Sequence, residues 1–515
     1  MSSGRVLMVQ GTSSSAGKSF LVTALCRIFA RRGWHVAPFK AQNMSNNAAV
    51  CPDGAEIGRA QALQARAAGI EPRAEMNPIL IKPEADSRAQ VVVMGRLWRT
   101  LSAGMYYRHR DHLWSVVTNA LHTLREKYDL VIIEGAGSPA ELNLKAGDIV
   151  NMAVARYAEA PVLLVGDIDR GGIFAQLLGT FWLLEPEEQA LVRGFVVNKF
   201  RGDLTLFSEG IRILEERGGR PVLGVIPYIP HLFLPDEDAV PLEEGKGESE
   251  KPLGGEGDGR SSTIDIVVLH LPRIANFDDF DPLRVEPDVR VRFVSSPRYL
   301  GQPDAIIVPG SKSTVADLEW LHDTGLATAV RHLAEQGSAV VGICGGYQML
   351  GREIRDPQHV ESTMERVEGL GLLPTVTTFT REKATYQVRA RVRQHLSWLA
   401  SLHDVTLAGY EIHMGYTKTS SPWLEILKRG DQHVHIPDGA MSSDGRIWGT
   451  YIHGLFANDA LRRAWLEFLR QRKTGAGVGS SEFNINDLLE HSLDRLADVV
   501  EEALNMKLIE QWWDS

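Results

Sequence analysis

The sequence predicts an α/β protein with two doubly wound domains, each a mostly parallel sheet covered by helices. Short apolar runs of about five residues, rich in Val and Ile, recur between Gly and Pro residues, as is typical of strands buried on both faces. Longer segments with apolar residues at three- and four-residue spacing separate these runs, which indicates helices between parallel strands. The pattern stops once, at a polar stretch over residues 243–262, and then restarts.

The elements follow one another in a regular order. The first half gives the strand candidates "RVLMVQG", "WHVAPFK", "DLVIIEGAG", "PVLLVGDID", "GFVVNKF" and "PVLGVIP", with helices such as "KSFLVTALCRIFARRG" and "SVVTNALHTLREKY" between them. After the polar stretch come "TIDIVVLHLP", "VRVRFVSS", "DAIIVPGS", "AVVGICGG", "TLAGYEIHMG" and "GRIWGTYIHGLF". No period of about 20 to 50 residues repeats, which excludes a solenoid.

The polar stretch "EEGKGESEKPLGGEGDGRSS" marks the expected domain boundary. A segment rich in Gly, Glu and Ser cannot offset its ordering entropy, so it predicts a flexible linker. A long surface loop inside a single domain is the alternative. We therefore expect one domain at 1–242, a linker at 243–262, a second domain at 263–470 and a helical C-terminal extension at 471–515.

Composition limits the function classes that the chain can serve. The formal net charge of -10 over 515 residues argues against nucleic acid or an anionic membrane as a general partner, although a local basic pocket for a small anion remains compatible with it. Cys26, Cys51 and Cys344 form no close pair, so neither a disulfide framework nor a structural zinc site is expected. The chain begins without a signal-peptide core, and no run reaches roughly 18 apolar residues. A cytoplasmic protein is the expectation.

The stretch "VLMVQGTSSSAGKSFLVTALCRIF" combines an apolar strand, a turn of small residues and an amphipathic helix. Backbone N–H groups in such a turn converge on phosphate oxygens, Lys18 can reach the outer phosphates, and Ser19 can ligate magnesium. Five residues separate Gly11 from Gly17, one more than in the standard phosphate loop. A Ser-rich turn without a ligand is the alternative. The predicted ATP contacts are Thr12, Ser15, Ala16, Gly17, Lys18, Ser19 and Asn198.

This expanded loop resembles that of dethiobiotin synthetase and its relatives, which use ATP to phosphorylate a carboxylate or carbamate. The resemblance implies ATP and Mg²⁺ as cofactors and a role for Lys40, at the end of "VAPFK", near the phosphates and the substrate. Glu134, at the end of the strand "VIIE", is the expected magnesium ligand, because hard oxygen ligands suit Mg²⁺. Glu56 is a second candidate ligand. Either glutamate could instead serve a helix N-terminus.

The stretch "SAVVGICGGYQML" predicts a strand, a tight turn and a helix, with Cys344 between glycines as in a nucleophile elbow. A helix N-terminus favours the reactive thiolate. The N–H of Gly345 can face a developing oxyanion, and a second N–H could come from around Gly310 and Ser311 in "VPGSKS". A buried cysteine that only packs is the alternative.

A cysteine nucleophile requires a base, and His453 in "WGTYIHGLF" also follows an apolar run. Together Cys344 and His453 resemble class I glutamine amidotransferases, which implies a flavodoxin-like second domain. Gln348 falls at the glutamine of that family's Cys-x-Gly-x-Gln pattern and is expected to contribute to glutamine binding. Leu455 stands where most of the class has a glutamate, which singles out the subfamily with only Cys and His. Glu411 in "GYEIHMG" is a candidate substitute.

The two predicted halves together indicate an amide-forming ligase. Carboxylates are poor electrophiles because the leaving group would be oxide. Phosphorylation by ATP makes an acyl phosphate, from which ammonia can displace phosphate. The pairing therefore predicts the reaction carboxylate + ATP + glutamine → amide + ADP + phosphate + glutamate.

This layout resembles the cobyric and cobyrinic acid amide synthases of cobalamin biosynthesis over nearly the whole chain. "FKAQNMSNNA", "EIGRAQALQA", "MNPILIKP", "DIDRGGIFA" and "GYEIHMG" are similar to the motifs of the members that make cobyric acid. The resemblance implies a synthetase domain at 1–242, an amidotransferase domain at 263–470, and amidation of the b, d, e and g carboxylates of adenosylcobyrinic acid a,c-diamide. The same chemistry at the a and c carboxylates, and a P-loop regulatory ATPase with an inactive amidotransferase-like domain, are the alternatives.

The residues of these motifs fit a polycarboxylate that already carries amides. Cationic side chains can attract its carboxylates, and the Asn-rich loop can bind its amides, although such a loop is also compatible with a polar surface turn. Glu84 and Ala85 depart from the small polar residue and Gly expected there. The predicted substrate contacts are Lys40, Gln42, Asn43, Asn46, Asn47, Lys82, Asp169 and Arg170.

Overall fold

The computed structural model describes residues 4–85, 88–235, 263–394, 397–475 and 484–513. The predicted linker at 243–262 lies outside these residues. The chain divides into two compact units. The first unit comprises Met1–Ser45, Glu56–Glu237 and Leu488–Ser515, and the second comprises Asn46–Ala55 and Asp238–Asp487. Two segments thus depart from a linear division of the chain: residues 46–55 belong with the second unit and residues from 488 onwards with the first.

The helices of the described residues are α1 Lys18–Arg31, α2 Arg59–Ala67, α3 Ala103–Tyr107, α4 Arg110–Lys127, α5 Met152–Ala158, α6 Ile173–Trp182, α7 Pro186–Leu191, α8 Ser208–Gly218, α9 Asp281–Arg284, α10 Thr314–Asp323, α11 Leu326–Gln336, α12 Gly345–Leu350, α13 Asp459–Thr474, α14 Ile485–Ala503 and α15 Met506–Gln511.

The strands are β1 Arg5–Gly11, β2 Val36–Phe39, β3 Gln42–Met44, β4 Ala48–Val50, β5 Glu56–Gly58, β6 Ile79–Ala85, β7 Arg88–Val93, β8 Arg96–Ser102, β9 Leu130–Glu134, β10 Val162–Asp167, β11 Val192–Phe200, β12 Val222–Pro227, β13 Ile264–Leu269, β14 Ile274–Ala275, β15 Val289–Val294, β16 Ala305–Val308, β17 Gly310–Ser311, β18 Ala339–Ile343, β19 Glu353–Arg355, β20 Arg366–Glu368, β21 Val376–Val392, β22 Thr406–Lys418, β23 Leu424–Arg429, β24 Gln432–Asp438, β25 Ala440–Met441 and β26 Ile447–Thr450.

The first unit is built on a six-stranded parallel sheet in the order β12-β11-β10-β1-β9-β2. Its central strand β1 explains the continuous apolar runs of the sequence. Val6 and Met8 pack into the core on one face, while Leu7 and Val9 pack into the core on the other face. Because successive strand residues point to opposite faces, a strand covered on both sides needs apolar residues at most of its positions. A smaller sheet, β3-β6-β7-β8, lies in the same unit.

The second unit has a main sheet in the order β15-β13-β16-β18-β26-β25, in which only the short edge strand β25 is antiparallel. Numbered within the unit, the five parallel strands follow the order 2-1-3-4-5, which is the flavodoxin-like arrangement. A second sheet, β20-β19-β21-β23-β24 with β22 paired to β21, completes the unit. Both units therefore confirm the predicted fold class.

The C-terminal helices α14 and α15 pack on the first unit, against the helix that follows the phosphate loop. Leu493, Val500 and Ile509 are buried in the same core as Leu25 and Phe29 of α1. Arginines of α1 form ion pairs with acidic residues of α14, as in the pair of Arg27 with Asp494 at 2.8 Å. Within the described residues, none of the helices combines the length and the apolar character that a membrane span requires.

Candidate active sites

Cys344 lies at the carboxyl end of β18, in the turn that leads into α12. Its backbone has φ 53° and ψ -110°, a sparsely populated conformation of the kind that concentrates at active sites. The turn closes tightly on its neighbours, since a Cβ on Gly346 would collide with the carbonyl oxygen of Val308. The strand, turn and helix of the predicted elbow are therefore present, and Gly346, two residues after the cysteine, is required by its close approach to β16.

His453 follows β26, the strand that pairs in parallel with β18, so the sheet brings it beside Cys344. Its side chain is buried, and its Nδ1 lies 2.6 Å from Asp279 Oδ2. Burial lowers the pKa of His453, but the neighbouring Asp279 and Cys344 outweigh this effect and raise that pKa to about 10. The geometry thus favours an imidazolium next to the thiol.

Asp279 is a partner of the candidate base His453 that the sequence did not reveal. Its Oδ2 lies 2.6 Å from His453 Nδ1, and its Oδ1 accepts a hydrogen bond of 2.8 Å from the backbone N–H of Gly454. The candidate Glu411 was the wrong choice for this role, because its carboxylate is held by Arg429 at 2.8 and 3.0 Å and faces His413 at 3.3 Å. The acidic pair in "NFDDF", shortly after β13, was the available signal.

The predicted oxyanion and glutamine contacts surround the elbow. A Cβ on Gly310 would lie 3.0 Å from His453 Cε1, and a Cβ on Gly345 would lie 3.0 Å from the backbone nitrogen of Ser311. The segment that contains Gly310 and Ser311 therefore lies beside both the His453 side chain and the turn that carries Cys344. Gln348 is buried, with Nε2 donating to the carbonyl of Met414 at 2.9 Å and Oε1 accepting from the Thr314 hydroxyl at 3.3 Å.

The phosphate loop connects β1 to α1 in the first unit. Gly17 has φ 95°, and a Cβ there would collide with Asn198 Nδ2, which donates to the carbonyl of Ala16 at 2.9 Å. Lys18 Nζ curls back over the loop to the carbonyl of Ser13 at 2.7 Å. Asn198, in β11, thus stabilises the loop through its hydrogen bond to Ala16. The Thr12 hydroxyl donates a hydrogen bond of 3.1 Å to Gln176 Oε1.

Lys199 is a further loop contact that the sequence reasoning missed. Its Nζ donates to the carbonyl of Ser15 at 3.0 Å and to Asp167 Oδ2 at 2.8 Å. The residue follows Asn198 directly, near the end of β11, so its position near the end of a buried strand was the available signal. A cation in this place adds positive charge beside the loop.

Ser19 and Glu134 meet at the carboxyl edge of the first sheet. Ser19 Oγ donates to Glu134 Oε1 at 2.9 Å, and Lys40 Nζ lies 2.8 Å from the same oxygen. A hydroxyl and a carboxylate that converge fit Mg²⁺, which is usually held by one or two carboxylates together with substrate phosphates. The second candidate, Glu56, is buried and accepts a hydrogen bond of 2.6 Å from Lys82, and its role as a ligand stays a prediction.

The predicted substrate residues of the first unit lie in a polar network. Gln42 accepts a hydrogen bond from the Tyr106 hydroxyl, and Asn43 Nδ2 donates to Gln61 at 3.0 Å. Two further predicted substrate contacts face oppositely charged side chains. Arg170 Nε lies 3.7 Å from a carboxylate oxygen of Asp167, and Asp169 accepts a hydrogen bond of 2.9 Å from Arg201.

Comparison with known proteins identifies the two domains that contain these residues. Residues 7–242 match the family described as CobQ/CobB/MinD/ParA nucleotide binding domain, and residues 265–461 match the CobB/CobQ-like glutamine amidotransferase domain. Over 97% of its length the chain is 54% identical to the cobyric acid synthase of Chloroflexus aggregans, covering 98% of that protein. The chain belongs to the cobyric acid synthase family. The cobyric acid synthases of Moorella thermoacetica and Dehalococcoides mccartyi (strain CBDB1) are 50% and 49% identical to it, each over 98% of the chain and 96% and 98% of their own lengths.

Membership in the cobyric acid synthase family confirms the predicted family and enzyme class. The chain is a glutamine-hydrolysing carbon–nitrogen ligase with one nucleotide-binding and one amidotransferase domain. The matched family regions run through both candidate sites, so Lys18 and Cys344 each lie in the domain whose chemistry they were expected to serve.

Proposed function

We propose that this chain converts adenosylcobyrinic acid a,c-diamide to adenosylcobyric acid by amidating the b, d, e and g carboxylates, with ATP as activator and glutamine as nitrogen donor. The observation that carries the proposal is the similarity to cobyric acid synthases over nearly the full length of both proteins. Two separate sites, one for a thiolate and one for a nucleotide, are what this reaction requires.

In the glutaminase half, the Cys344 thiolate attacks the side-chain carbonyl carbon of glutamine. The N–H of Gly345 and that of Gly310 or Ser311 stabilise the tetrahedral oxyanion. The oxyanion collapses, and ammonia leaves with a proton from the His453 imidazolium. Water, deprotonated by His453, then hydrolyses the thioester to glutamate and regenerates the thiolate. The contact of Asp279 with Nδ1 at 2.6 Å supports a positioning role, because it holds the ring with Nε2 towards the thiol.

In the synthetase half, an oxygen of the substrate carboxylate attacks the γ-phosphorus of ATP, and ADP leaves. Ammonia attacks the acyl phosphate at its carbon, phosphate departs with the C–O bond electrons, and the new amide loses a proton. Lys18 would neutralise charge on the transferred phosphoryl group. Magnesium, when bound through Ser19 and Glu134, would supply further charge neutralisation at the β- and γ-phosphates. The convergence of their oxygens at 2.9 Å supports this role.

Several polar side chains are proposed to hold the corrinoid. The carboxylates of the substrate would compete with Glu134 for Lys40 and with Glu56 for Lys82, since these lysines are already ion-paired. Asn46 Oδ1 is buried without a hydrogen-bond partner among the described residues. A buried acceptor of this kind costs about 1–3 kcal/mol until a donor arrives. The amide groups of the a,c-diamide are donors of the required kind, which supports a contact in this loop.

The decisive experiment is mass spectrometry of the products formed from two substrates. Purified enzyme with ATP, Mg²⁺ and glutamine would be offered either adenosylcobyrinic acid a,c-diamide or the fully acidic precursor. We expect four successive exchanges of –OH for –NH₂ on the diamide. Amidation of the acidic precursor at two positions, with the diamide left unchanged, would instead assign the chain to a,c-diamide synthesis.

A further inference from the structure

The short strand β17, which consists of Gly310 and Ser311, pairs antiparallel with β14. One residue further along, the N–H of Lys312 donates to the carbonyl of Arg273 at 2.9 Å. Because hydrogen-bonded and non-hydrogen-bonded pairs alternate along an antiparallel ladder, Gly310 belongs to a bonded pair and Ser311 to a non-bonded pair. The N–H of Ser311 therefore points away from β14, and a Cβ on Gly345 would lie 3.0 Å from its nitrogen. This favours Ser311 over Gly310 as the second oxyanion donor.

Asp317, in the first turn of α10, binds residues on both sides of this ladder. Its side chain is fully buried. Its Oδ2 accepts a hydrogen bond of 2.6 Å from the Ser311 hydroxyl and one of 3.2 Å from the backbone N–H of Arg273. The guanidinium of Arg273 lies 3.5 Å from Oδ1 of the same carboxylate. A single carboxylate thus fixes β17 relative to the segment that leads into β14.

The Ser311 hydroxyl has little freedom to leave this arrangement. It donates to Asp317 and accepts a hydrogen bond of 3.0 Å from the backbone N–H of Ser313. Burial raises the pKa of the Asp317 carboxyl to about 6, while the hydrogen bond from Ser311 and the charge of Arg273 act in the opposite direction. The group is therefore mainly ionised at neutral pH. Hydrogen bonds with an ionised partner are roughly twice as strong as neutral ones, so the carboxylate holds the Ser311 side chain firmly.

We propose that Asp317 is a positioning residue for glutamine hydrolysis, which holds the N–H of Ser311 in place as the second donor to the oxyanion. The proposal rests on the glutaminase step of the proposed function. Such donors are effective because they already point to the position where charge develops in the transition state. Asp317 acts through Ser311 rather than on the reacting atoms. Because the interaction is made only in the transition state, its loss lowers kcat and leaves the KM for glutamine unchanged.

The test measures glutamate release by the complete enzyme, supplied with ATP, Mg²⁺, glutamine and the a,c-diamide. Asp317→Asn keeps the size of the side chain and one acceptor oxygen but removes the charge. Ser311→Ala removes the hydroxyl and keeps the backbone N–H, and the double variant combines both changes. Glu361→Gln is the matched control, because the Glu361 carboxylate accepts a hydrogen bond of 2.8 Å from the backbone N–H of Val315, also in the first turn of α10.

The loss of a whole oxyanion donor costs about 10²–10³ in kcat, so a displaced donor should cost at least about tenfold. We expect this loss in Asp317→Asn and in Ser311→Ala, with the KM for glutamine unchanged in both. The double variant should lose no more than Asp317→Asn alone, because both changes remove the same interaction. Glu361→Gln should retain kcat.

Alkylation of Cys344 by iodoacetamide, located by mass spectrometry, separates positioning of the donor from damage to the elbow. In this reaction the thiolate displaces iodide from carbon and no oxyanion forms, so its rate should be unchanged in every variant. Slower alkylation in Asp317→Asn would assign the loss to the elbow and overturn the proposal.

Three kinetic results would also overturn it: an unchanged kcat in Asp317→Asn, a loss confined to KM, or losses that multiply in the double variant. An equal loss in Glu361→Gln would do the same. Should Asp317→Asn fail to fold, an unchanged kcat in Ser311→Ala would be sufficient to reject the proposal. Glutamate release without amidation of the diamide would instead refute the proposed function and leave this comparison intact.

Discussion

Asp279→Asn tests the newly assigned partner of His453 with a minimal change of shape. Asparagine can keep its oxygen on the N–H of Gly454, which Asp279 holds at 2.8 Å, but it then turns an –NH₂ group towards His453 Nδ1. The imidazole must accept there and carry its proton on Nε2, facing Cys344. In that tautomer it cannot take a proton from the thiol.

The expected magnitude follows from the lost interaction. A hydrogen bond to a charged group contributes about 1.5–3 kcal/mol, which corresponds to a loss of about 10- to 150-fold in the glutaminase kcat/KM at 1.36 kcal/mol for each tenfold step. The wrong tautomer adds to this loss. The KM for the corrinoid in ammonia-dependent amidation should not change, because that reaction uses the other unit.

The pH dependence gives a second, independent readout. Asp279 is the first of the partners that raise the pKa of His453 to about 10 against the lowering effect of burial. The imidazolium therefore persists up to about pH 10. Removing the negative charge lowers this pKa, so the alkaline limb of the glutaminase rate moves to lower pH.

The assay is glutamate release measured across the pH range for Asp279→Asn and, as the rival, Glu411→Gln. We expect the alkaline limb to move only in Asp279→Asn, since Glu411 is bound to Arg429 and His413. A loss of less than threefold with an unmoved alkaline limb, or the same displacement in Glu411→Gln, would refute the assignment of Asp279.

Further predictions concern the nucleotide site and the C-terminal helices. Lys18→Ala should abolish ATP-dependent amidation with either glutamine or ammonium as donor, and retained turnover would contradict the assignment of this loop as the ATP site. Glu134→Gln should raise the Mg²⁺ concentration needed for half-maximal amidation, and an unchanged Mg²⁺ titration would contradict its role as ligand. Leu493→Ala, in a fully buried position, should lower the free energy of unfolding by about 2–5 kcal/mol. Arg31→Ala, which breaks an exposed pair with Asp498, should cost less than about 1 kcal/mol in urea unfolding, and the reverse order would show that ion pairs rather than packing hold these helices.

Much of the fold could be predicted because its signals are local. Strands covered on both faces must be apolar throughout, so β1, β9 and β18 are visible as uninterrupted runs. The elbow at Cys344 and the phosphate loop before Lys18 are recognisable because both need small residues at fixed spacing next to a strand and a helix.

The remaining features depend on contacts between distant parts of the chain. Asp279 lies 174 residues before His453, and only the sheet order brings the two together. The anchoring of Ala48 on Asn276 spans 228 residues and is made through a backbone N–H, which has no signature in sequence. Likewise, the amphipathic pattern of the C-terminal helix indicates that one of its faces is buried. It does not indicate that Leu493 shares a core with residues of α1.

The Cys344→Ser variant tests most directly whether ammonia release from glutamine and activation of the carboxylate by ATP take place at separate sites. Amidation of adenosylcobyrinic acid a,c-diamide would be followed by mass spectrometry with ATP and either glutamine or ammonium salts, with Cys26→Ala, a buried cysteine of α1, as the matched control. We predict that Cys344→Ser amidates the corrinoid from ammonium but not from glutamine, while Cys26→Ala uses both donors. Continued use of glutamine by Cys344→Ser would contradict the assignment of the nucleophile and with it the account.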